Sequence, residues 1–438
     1  MERINAFILL MEFLEINQID YSVLGNSNEY GTIIESDIDI VICKKDFDQI
    51  TKIILKFCTV NKFILVQIKK HESTACAYVL HLDNNVYFQI DFCHDFLING
   101  RLYFTADSLL QNKHYAVKTF TFFTLTFHYE FVYYLVKRID KRNIEPQQFA
   151  HLQECWKKAG NQILLLLVTY FSNYSIQIIK ATFDENNLKF LQDNILQLRI
   201  DLFANHKIML RHKILDLVRL MQKLLKPPGI IIAILGCDGA GKTTLVKELK
   251  KQFQFCFNNK TSYHLYPGII FKQKIVPSFN NPHVLKKRGK VLSFLKLLLF
   301  IPEYFIGFWV KLFPRLVGAE LIIFDRYFID IQADPLRYRN GLGLKTTGVI
   351  NKFIPQPNLW ILLDLSPESL LNRKAEIGPD MAFKLRANYL KVAATLPNCL
   401  IINAENTINK TVDDASNFII KHMQQRITNN QSDKMIQR

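Results

Sequence analysis

The sequence predicts an α/β protein of several domains. The chain has 438 residues, more than one hydrophobic core usually organises. We assign residues 1–116 to an N-terminal α+β domain, residues 117–226 to a helical subdomain, and residues 227–438 to a domain with a doubly wound parallel sheet. Three observations predict this division: strand-like runs with embedded acids, helical spacing of apolar residues through the middle, and a buried strand leading into a glycine-rich loop.

The composition is that of a globular protein with excess positive charge. Hydrophobic residues make up 49%, charged residues 21%, and the net charge is +16. This charge favours anionic partners such as nucleotides, nucleic acid, phosphorylated sugars or a membrane surface, although a lysine-rich solvated surface explains it equally well. The eight cysteines form no C-x-x-C pair, so neither a zinc site nor a disulfide framework is expected. Without a signal-peptide pattern, the expected location is cytoplasmic.

The N-terminal stretch carries acids on strand-like runs. Apolar spacing predicts a helix over residues 1–17 and a strand over residues 21–24, which ends at a glycine. Residues 35–42 then alternate acids with apolar residues, so Asp37 and Asp39 share one face of a strand.

A further acid, Asp91, lies in the strand-like run 86–92. Carboxylates that lie close together repel each other unless a cation lies between them, and Mg²⁺ prefers carboxylate oxygens as ligands. Asp37, Asp39 and Asp91 therefore form a candidate two-metal site for phosphoryl transfer. The alternative is an acidic turn at a strand end.

This stretch resembles the nucleotidyltransferases of the DNA-polymerase-β superfamily. Gly25 followed by Ser36-Asp37-x-Asp39 matches their pattern of a glycine turn and S-D-x-D, whereas Asn26 stands where that family usually has Ser. The resemblance implies an α+β fold that binds a nucleotide and metal through the acids. An inactive domain of the same fold is the alternative.

Helices are predicted in the middle of the chain. A strand is expected over residues 117–127, followed by helices over residues 146–159, 162–174 and 205–225, and Lys226-Pro227-Pro228-Gly229 reads as a linker. The basic cluster of Lys137, Arg138, Lys141 and Arg142 suits either phosphate contacts or a solvated helix end.

The strongest motif follows the linker. Residues 230–235 are continuously apolar, as in a buried parallel strand, and residues 236–244 fit G-x-x-x-x-G-K-[ST]. Such a loop holds nucleotide phosphates with its backbone N–H groups, its lysine reaches the β- and γ-phosphates, and its hydroxyl ligates Mg²⁺. ATP is therefore expected to bind at these residues: Gly236, Asp238, Gly239, Ala240, Gly241, Lys242, Thr243 and Thr244.

Residues 291–316 are unusually apolar. The uncharged runs are too short for a membrane span. We favour a pair of helices packed in the core. The alternative is an apolar surface that meets a lipid-linked substrate or a membrane interface.

Two further strands end in polar residues. Residues 320–327 end in Asp325-Arg326-Tyr327, and residues 359–365 lead to a helix that carries Arg373 and Lys374. Ligands gather at the carboxyl ends of such strands, which places Asp325 near Mg²⁺ and Arg326 near a phosphoryl group. Arg373 and Lys374 are candidates for a lid over the phosphates.

The C-terminal motifs resemble the thymidylate kinase family over about residues 229–425. G-x-D-G-A-G-K-T-T, the D-R-Y motif at Asp325 and the segment from Asp364 to Arg373 occur in the family's order. The resemblance implies that Lys242 and Thr243 bind ATP and Mg²⁺, that Arg326 and Arg373 steady the transferring phosphoryl group, and that Asp325 positions metal or acceptor.

The acceptor region departs from that family. Its Ser-rich Ala-Tyr-Gln segment is replaced by residues 328–339, and the arginine that grips thymidylate has no match in the apolar stretch. Four charged residues line either a new acceptor pocket or a salt-bridged loop: Asp330, Asp334, Arg337 and Arg339. The two halves together resemble a bacterial family often associated with surface-polysaccharide biosynthesis.

These features predict a kinase that uses ATP and Mg²⁺ to phosphorylate a sugar, glycan or glycolipid. One alternative is a genuine thymidylate or nucleoside monophosphate kinase. Another is a nucleotidyltransferase, or an ATP-gated regulatory protein, with only one working site. Nucleic acid stays among the partners that the charge allows.

Overall fold

The computed structural model describes residues 2–25, 34, 37–83, 86–117, 121–270, 287–342, 344–373 and 378–436. Contacts between Cα atoms divide the chain into two compact units, Met1–Met221 and Gln222–Arg438. The predicted linker at residues 226–229 follows this boundary. Each unit contains its own sheet.

The first unit is built on a mixed sheet. Within the described residues, seven strands pair in the order β3-β4-β5-β2-β1-β9-β8, and β6 and β7 form a separate hairpin. The β2–β5 and β1–β9 pairs are parallel, and the other pairs are antiparallel. The strands are β1 (Tyr21–Leu24), β2 (Ile38–Ile42), β3 (Ile64–Glu72), β4 (Ala75–His81), β5 (Tyr87–Cys93), β6 (Asp95–Ile98), β7 (Arg101–Thr105), β8 (Lys113–Val117) and β9 (Thr121–Leu125).

Helices flank this sheet and continue after it. They are α1 (Arg3–Ile16), α2 (Lys44–Phe47), α3 (Ile50–Asn61), α4 (Ala106–Gln111), α5 (Phe127–Lys141), α6 (Pro146–Leu167), α7 (Asn173–Asp184), α8 (Leu188–Ala204) and α9 (Leu210–Leu225). A continuous apolar core joins α5, α6, α7 and α8 to the strand side chains Leu24 and Leu125. The helical segment therefore packs with the sheet as one unit, and β9, which pairs with β1, lies inside the range that the sequence assigned to the helical subdomain.

The predicted helix boundaries in the middle need correction. The break expected between helices over residues 146–159 and 162–174 is confirmed, because α6 consists of two helical stretches joined across a kink at Ala159 (φ −141°, ψ 24°). The second stretch ends at Leu167 instead of residue 174. The next helix begins after Ser172, whose side chain accepts a hydrogen bond from Ser175 N–H. The expected helix over 205–225 starts only at Leu210.

The second unit is a parallel sheet with the strand order β11-β12-β10-β13-β14. Its central strand, β10, is buried along its whole length, which explains its unbroken apolar run. The sequence predicted β10, β12 and β13, and its residues 261–266 predicted a strand that corresponds to β11, but β14 was missed. The strands are β10 (Ile230–Gly236), β11 (Asn259–His264), β12 (Glu320–Asp325), β13 (Leu359–Asp364) and β14 (Cys399–Asn403).

Helices connect these parallel strands. They are α10 (Lys242–Gln252), α11 (Lys290–Gly307), α12 (Phe313–Val317), α13 (Asp330–Ala333), α14 (Leu344–Asn351), α15 (Pro367–Arg373), α16 (Pro379–Ala393) and α17 (Ile408–Ile436). A π-helical segment, Phe308–Leu312, links α11 directly to α12.

The helix pair expected over residues 291–316 is therefore wrong. One continuous helical segment, Lys290–Val317, runs across it, and this is the one segment of the described residues with the length and apolar composition of a membrane-spanning helix. Core helices meet the same criterion, and one face of the segment is buried through Leu297, Phe300 and Tyr304. Ten apolar side chains between Val291 and Val310 are 38–72% exposed.

Candidate active site

The glycine-rich loop lies between the end of β10 and the start of α10. Gly239 and Gly241 have φ angles of 84° and 89°, a region that favours glycine. A Cβ on Gly236, where φ is 140°, would meet the carbonyl oxygen of Leu363 at 2.7 Å. These positions need glycine because the backbone must curl at the amino end of a helix, where N–H groups bind phosphate.

Lys242 is buried at the first position of α10. Its Nζ donates hydrogen bonds to the carbonyl oxygens of Gly236 (2.9 Å) and Cys237 (2.7 Å). Burial, followed by the nearby Arg326 guanidinium, lowers the pKa of Lys242 to about 8. A buried cation held by two neutral carbonyls is poised to bind an anion such as the β- and γ-phosphates.

The lowered pKa gives a testable pH dependence. Only the charged ammonium attracts phosphate, so we expect ATP affinity to fall towards tenfold per pH unit above pH 8. Isothermal titration with Mg²⁺ and ATP between pH 7 and pH 9.5 measures this. The Lys242→Met variant should bind weakly with a flat profile. An equally steep loss in that variant would assign the titration to another group.

Thr243 and Asp325 meet at the magnesium position predicted from the sequence. The Thr243 hydroxyl donates to Asp325 Oδ2 at 2.9 Å. They meet because β12 pairs directly with β10, with Ile234 opposite Asp325. The other carboxylate oxygen, Asp325 Oδ1, is buried without a hydrogen-bond partner among the described residues. A buried acceptor beside a hydroxyl fits Mg²⁺, which takes oxygen ligands.

Arg326 is the centre of a buried ionic network. It adopts φ 74° and its backbone N–H donates to Ile234 O at 3.0 Å, which turns the chain as it leaves the sheet. Its guanidinium pairs with Asp330 at 2.5 Å and with Asp238 of the loop. Its side chain is only 2% exposed. The network thus ties the phosphate loop to the segment after β12.

Asp330 is the buried acid at the centre of this network. It is fully buried and accepts hydrogen bonds from Arg326, Tyr338 and Tyr389, the last two at 2.7 Å. Burial acts to raise its pKa, but the Arg326 guanidinium and the two hydroxyls outweigh burial and lower it. The sequence left two alternatives for Asp330, an acceptor pocket or a salt-bridged loop, and the structure shows an ion pair between Asp330 and Arg326. Neither tyrosine was proposed as a site residue: Tyr338 lies in the segment 328–339 of the acceptor region, and Tyr389 lies in no motif.

Arg337 joins the network through the loop. Its guanidinium pairs with Asp238, which therefore lies between Arg326 and Arg337. Burial acts to raise the pKa of Asp238, but these two cations hold it well below its usual range. Asp334 is also buried and accepts from the Arg337 backbone N–H at 3.2 Å.

The remaining predicted loop residues surround this centre. Ala240 is buried, while Thr244 is exposed on the first turn of α10. Arg373 is the last residue of α15, and its side chain lies outside the described part of the chain, as does all of Lys374. Their predicted lid role stays a prediction.

A buried acid in the apolar helix was also missed. Glu303, fully buried in α11, accepts hydrogen bonds from the backbone N–H groups of Gly268, Ile269 and Ile270 at 2.6–2.8 Å. These three hydrogen bonds fix the backbone of residues 268–270, which follow β11. An acid inside an otherwise apolar run is a sequence signal for such a contact, since a buried carboxylate must be hydrogen-bonded.

The N-terminal acids come together, but with a lysine among them. Asp39 and Asp91 are register partners on the parallel strands β2 and β5. Lys137 of α5 forms an ion pair with Asp39, and Gln89 Nε2 donates to Asp91 Oδ1 at 2.9 Å and to Asp37 Oδ2 at 3.5 Å. Burial, then the carboxylates of Asp39 and Asp37, raise the pKa of Asp91 to about 7.

The predicted metal site at Asp37, Asp39 and Asp91 stays a prediction. Among the described residues, no group of three or more acid, histidine or cysteine side chains is arranged to hold a metal ion, and the Lys137 ammonium supplies a positive charge beside Asp39. Asn26 and Ser36 of the resemblance lie outside the described residues.

The raised pKa of Asp91 predicts a stability effect. A carboxyl whose pKa rises on folding favours the folded state fully below pH 3.8, and this contribution is lost as pH rises through about 7. Asp91→Asn should therefore raise the free energy of unfolding by about 1–3 kcal/mol at pH 8 and change little at pH 4. Calorimetry of the full chain tests this, with exposed Asp193→Asn as the control. If Mg²⁺ stabilised the parent at pH 8 more than Asp91→Asn, these acids would bind metal after all.

Comparisons with known proteins match the second unit. A family model described as thymidylate kinase matches residues 234–415. The probable thymidylate kinase of Sulfolobus acidocaldarius is 30% identical over 203 residues, which are 43% of this chain and 95% of that protein. The thymidylate kinase of Xanthomonas oryzae pv. oryzae is 30% identical over 200 residues, 44% of this chain and 78% of that protein. The probable thymidylate kinase of Thermococcus gammatolerans is 28% identical over 193 residues, 41% and 90% of the two chains.

The geometry and the comparisons agree on the chemistry of this unit. A phosphate loop with a buried lysine, a Thr–Asp pair for Mg²⁺ and a buried arginine are the parts that phosphoryl transfer from ATP requires. Each relative covers less than half of this chain, so these comparisons assign the family of the second unit and not that of the first. Through residues 234–415 this chain belongs to the thymidylate kinase family of ATP- and Mg²⁺-dependent phosphotransferases.

Proposed function

We propose that the second unit transfers the γ-phosphoryl group of ATP to an acceptor other than thymidylate, of the sugar, glycan or glycolipid class. The observation behind this is the segment after β12. Arg326 there donates hydrogen bonds to Asp330 and Tyr389, Tyr338 donates to Asp330, and Arg337 pairs with Asp238 of the loop. Such a segment differs from the Ser-rich segment by which the resembling family holds its nucleotide.

Positioning and charge account for the mechanism. The Lys242 ammonium lies at the loop that would hold the β- and γ-phosphates. On ATP binding it would give up its hydrogen bonds to two backbone carbonyls and donate to phosphate oxygens instead. Arg326 is held in place by Asp330. Its positive charge would stabilise the negative charge that spreads over the equatorial oxygens of the phosphoryl group during transfer. Mg²⁺, held by Thr243 and Asp325, would neutralise phosphate charge in the same place.

Arg337 supplies a second cation on the acceptor side. Its partner, Asp238, already pairs with Arg326. An anionic or hydroxyl-rich acceptor could therefore replace one of the two ion pairs without leaving Asp238 uncompensated. Binding of the acceptor would thereby release one arginine from Asp238, close to the phosphoryl group that is transferred.

The apolar face of α11 supports a lipid-linked acceptor in particular. Val291, Leu292, Leu295 and Leu299 are each more than half exposed, and single exposed apolar residues are common but a contiguous strip is not. A lipid chain is one occupant that would cover such a strip. Contact of residues 291–316 with a glycolipid or a membrane surface stays a prediction.

Labelled ATP distinguishes the candidates. With ATP labelled at the γ-phosphate and Mg²⁺, we expect transfer to a sugar-phosphate or polar-lipid fraction of a cell extract and none above background to thymidylate. Turnover of thymidylate at a rate that matches or exceeds the extract fractions would favour the thymidylate kinase alternative. The exposed Lys247→Ala variant is the control, since it leaves the loop intact.

Label at the α-phosphate tests the first unit. A nucleotidyltransferase there would move α-label, would depend on Asp37, Asp39 and Asp91, and would not depend on Lys242. ATP binding with no transfer from either position, extract included, would favour the ATP-gated regulatory alternative.

A further inference from the structure

Helix α9 exposes large apolar side chains along most of its length. Six of them are 45–72% exposed: Leu210, Ile214, Leu217, Val218, Leu220 and Met221. Four of these residues repeat at i, i+4, i+7 and i+11, so they form one stripe along the helix, and the other two border it. We call these six residues the α9 stripe. Scattered apolar residues are common on a protein surface, but a continuous stripe of large ones marks a surface that binds a partner.

The polar side of α9 faces the body of the first unit. His212, the buried residue of this helix, approaches the Ser73 hydroxyl through Nδ1 at 3.4 Å, and Asp216 accepts a hydrogen bond from Ser73 N–H at 3.1 Å. Arg219 donates to Lys70 O at 3.0 Å. This arrangement reverses that of an ordinary surface helix, whose apolar side packs on the core and whose polar side meets water.

The hydrophobic core of the first unit does not include α9. Among the described residues, the buried apolar cluster that contains α5, α6, α7 and α8 extends along the chain to Leu202 and includes no residue of α9. Polar contacts to residues 70–73 therefore hold this helix on the unit. Because removal of apolar surface from water is favourable, the α9 stripe gains free energy from any apolar environment that covers it.

The charges beside the α9 stripe are positive. Residues 207–226 contain six lysine and arginine residues and one acid, Asp216, which is turned towards the first unit by the contacts described above. Lys207, Arg211 and Lys213 are exposed. Contact between two copies of this helix would add cations without an acid to pair with them. An anionic membrane surface would supply the negative charge that these cations match.

The length of α9 suits a helix that lies in a membrane surface. Its 16 residues extend about 24 Å, less than the hydrocarbon core of a bilayer of about 30 Å, so the helix is too short to cross. An apolar stripe on one side, flanked by lysine and arginine, is the pattern of helices that lie in the plane of the interface. In such helices the apolar side enters the boundary between headgroups and acyl chains.

We propose that the α9 stripe docks the first unit on an anionic phospholipid membrane. The apolar side chains enter the acyl boundary, and Lys207, Arg211 and Lys213 contact the phosphates of the headgroups. The polar contacts to residues 70–73 keep the helix attached to the protein at the same time. The proposal concerns the first unit alone, so it does not depend on which acceptor the second unit phosphorylates.

Flotation of the full chain with vesicles tests the docking. Vesicles of phosphatidylcholine and phosphatidylglycerol should retain the parent, and phosphatidylcholine alone should retain much less. Leu217→Glu places a charge in the middle of the α9 stripe and should weaken vesicle binding at least about tenfold. Leu196→Glu is the matched control and should bind like the parent, because Leu196 is a similarly exposed leucine on α8 of the same unit. Equal binding of the parent and Leu217→Glu would overturn the proposal.

The flanking cations have a separate readout. Lys213→Gln should weaken binding to the anionic vesicles about fivefold at low salt, which is the contribution of one basic residue near such a surface. Added salt should reduce this difference, because it screens the attraction. Affinity like that of the parent in the double variant of Arg211→Gln and Lys213→Gln would contradict the proposal.

Other occupants of the α9 stripe give different results. If the parent does not float and Leu217→Glu dissociates a self-associated parent in sedimentation equilibrium, the stripe binds a second copy of the chain and the proposal is wrong. If the parent does not float and Leu217→Glu melts below Leu196→Glu, the chain itself covers the stripe, which also overturns the proposal. Flotation that Leu217→Glu retains and Leu295→Glu loses would assign membrane contact to α11 instead. Thymidylate turnover, in contrast, tests the proposed function and leaves the α9 stripe unaffected.

Discussion

Replacing Lys242 by methionine is expected to lower γ-phosphoryl transfer about 10³-fold, the scale reported for removal of one charge-stabilising donor. The buried ammonium already contacts the loop carbonyls of Gly236 and Cys237. Methionine keeps the length of the side chain and removes the charge that the phosphates need. Initial rates of transfer from γ-labelled ATP, at saturating ATP, measure the loss.

The same change should not unfold the protein. Burial lowers the pKa of Lys242 from 10.5 to about 8, so the charged form disfavours the folded state, fully below pH 8 and not at all above about pH 10.5. Lys242→Met should therefore be at least as stable as the parent at pH 7. Lys247→Ala on the same helix is the matched control. A variant that melts lower and loses activity in proportion would assign Lys242 a structural role only.

Replacing Asp330 by asparagine should cost the second unit about 3–5 kcal/mol of unfolding free energy at pH 7, because it breaks a buried ion pair from one side. Arg326 would keep only Asp238 as a carboxylate partner. The amide would also place a donor group among donors from Arg326, Tyr338 and Tyr389. Chemical unfolding of the full chain, followed by the fluorescence of Trp360, measures the loss.

Two matched variants calibrate this result. Tyr338→Phe removes one hydrogen bond to Asp330 and should cost about 1 kcal/mol. Tyr389→Phe removes one hydrogen bond to Asp330 and one from Arg326 and should cost about 1–2 kcal/mol. The lowered pKa of Asp330 means that its contribution is present above pH 3.8 and is lost as pH falls, so the gap between Asp330→Asn and the parent should narrow towards pH 3. A cost no larger than that of either phenylalanine would show that Asp238 alone compensates Arg326.

Local patterns predicted the parts of the site that lie within short segments. The buried strand, the glycine-rich turn and the first turn of α10 follow one another over fifteen residues, so their geometry depends on neighbours in sequence. Asp325 and Arg326 were also predicted, because polar residues at the carboxyl end of an apolar strand meet ligands in parallel sheets. Family resemblance then indicated ATP and Mg²⁺.

Sequence patterns did not reveal partners that come from another element. The sequence predicted a metal site among Asp37, Asp39 and Asp91, which stays a prediction, but it did not show that Lys137 on α5 forms an ion pair with Asp39. It predicted two helices over residues 291–316, because Pro302 and Glu303 interrupt the apolar run. Glu303 is tolerated inside one helix because three backbone N–H groups from the loop beyond β11 satisfy it.

The sequence by itself determined the phosphate loop, the strand that precedes it and the Asp-Arg pair, since steric limits on glycine and the burial of a central strand act over a few residues. Only the tertiary structure decided that Asp238 lies between Arg326 and Arg337, and that Asp330 pairs with Arg326. The reason is that charge interactions depend on distance in space. Strand order and helix packing, which bring distant residues together, set these distances.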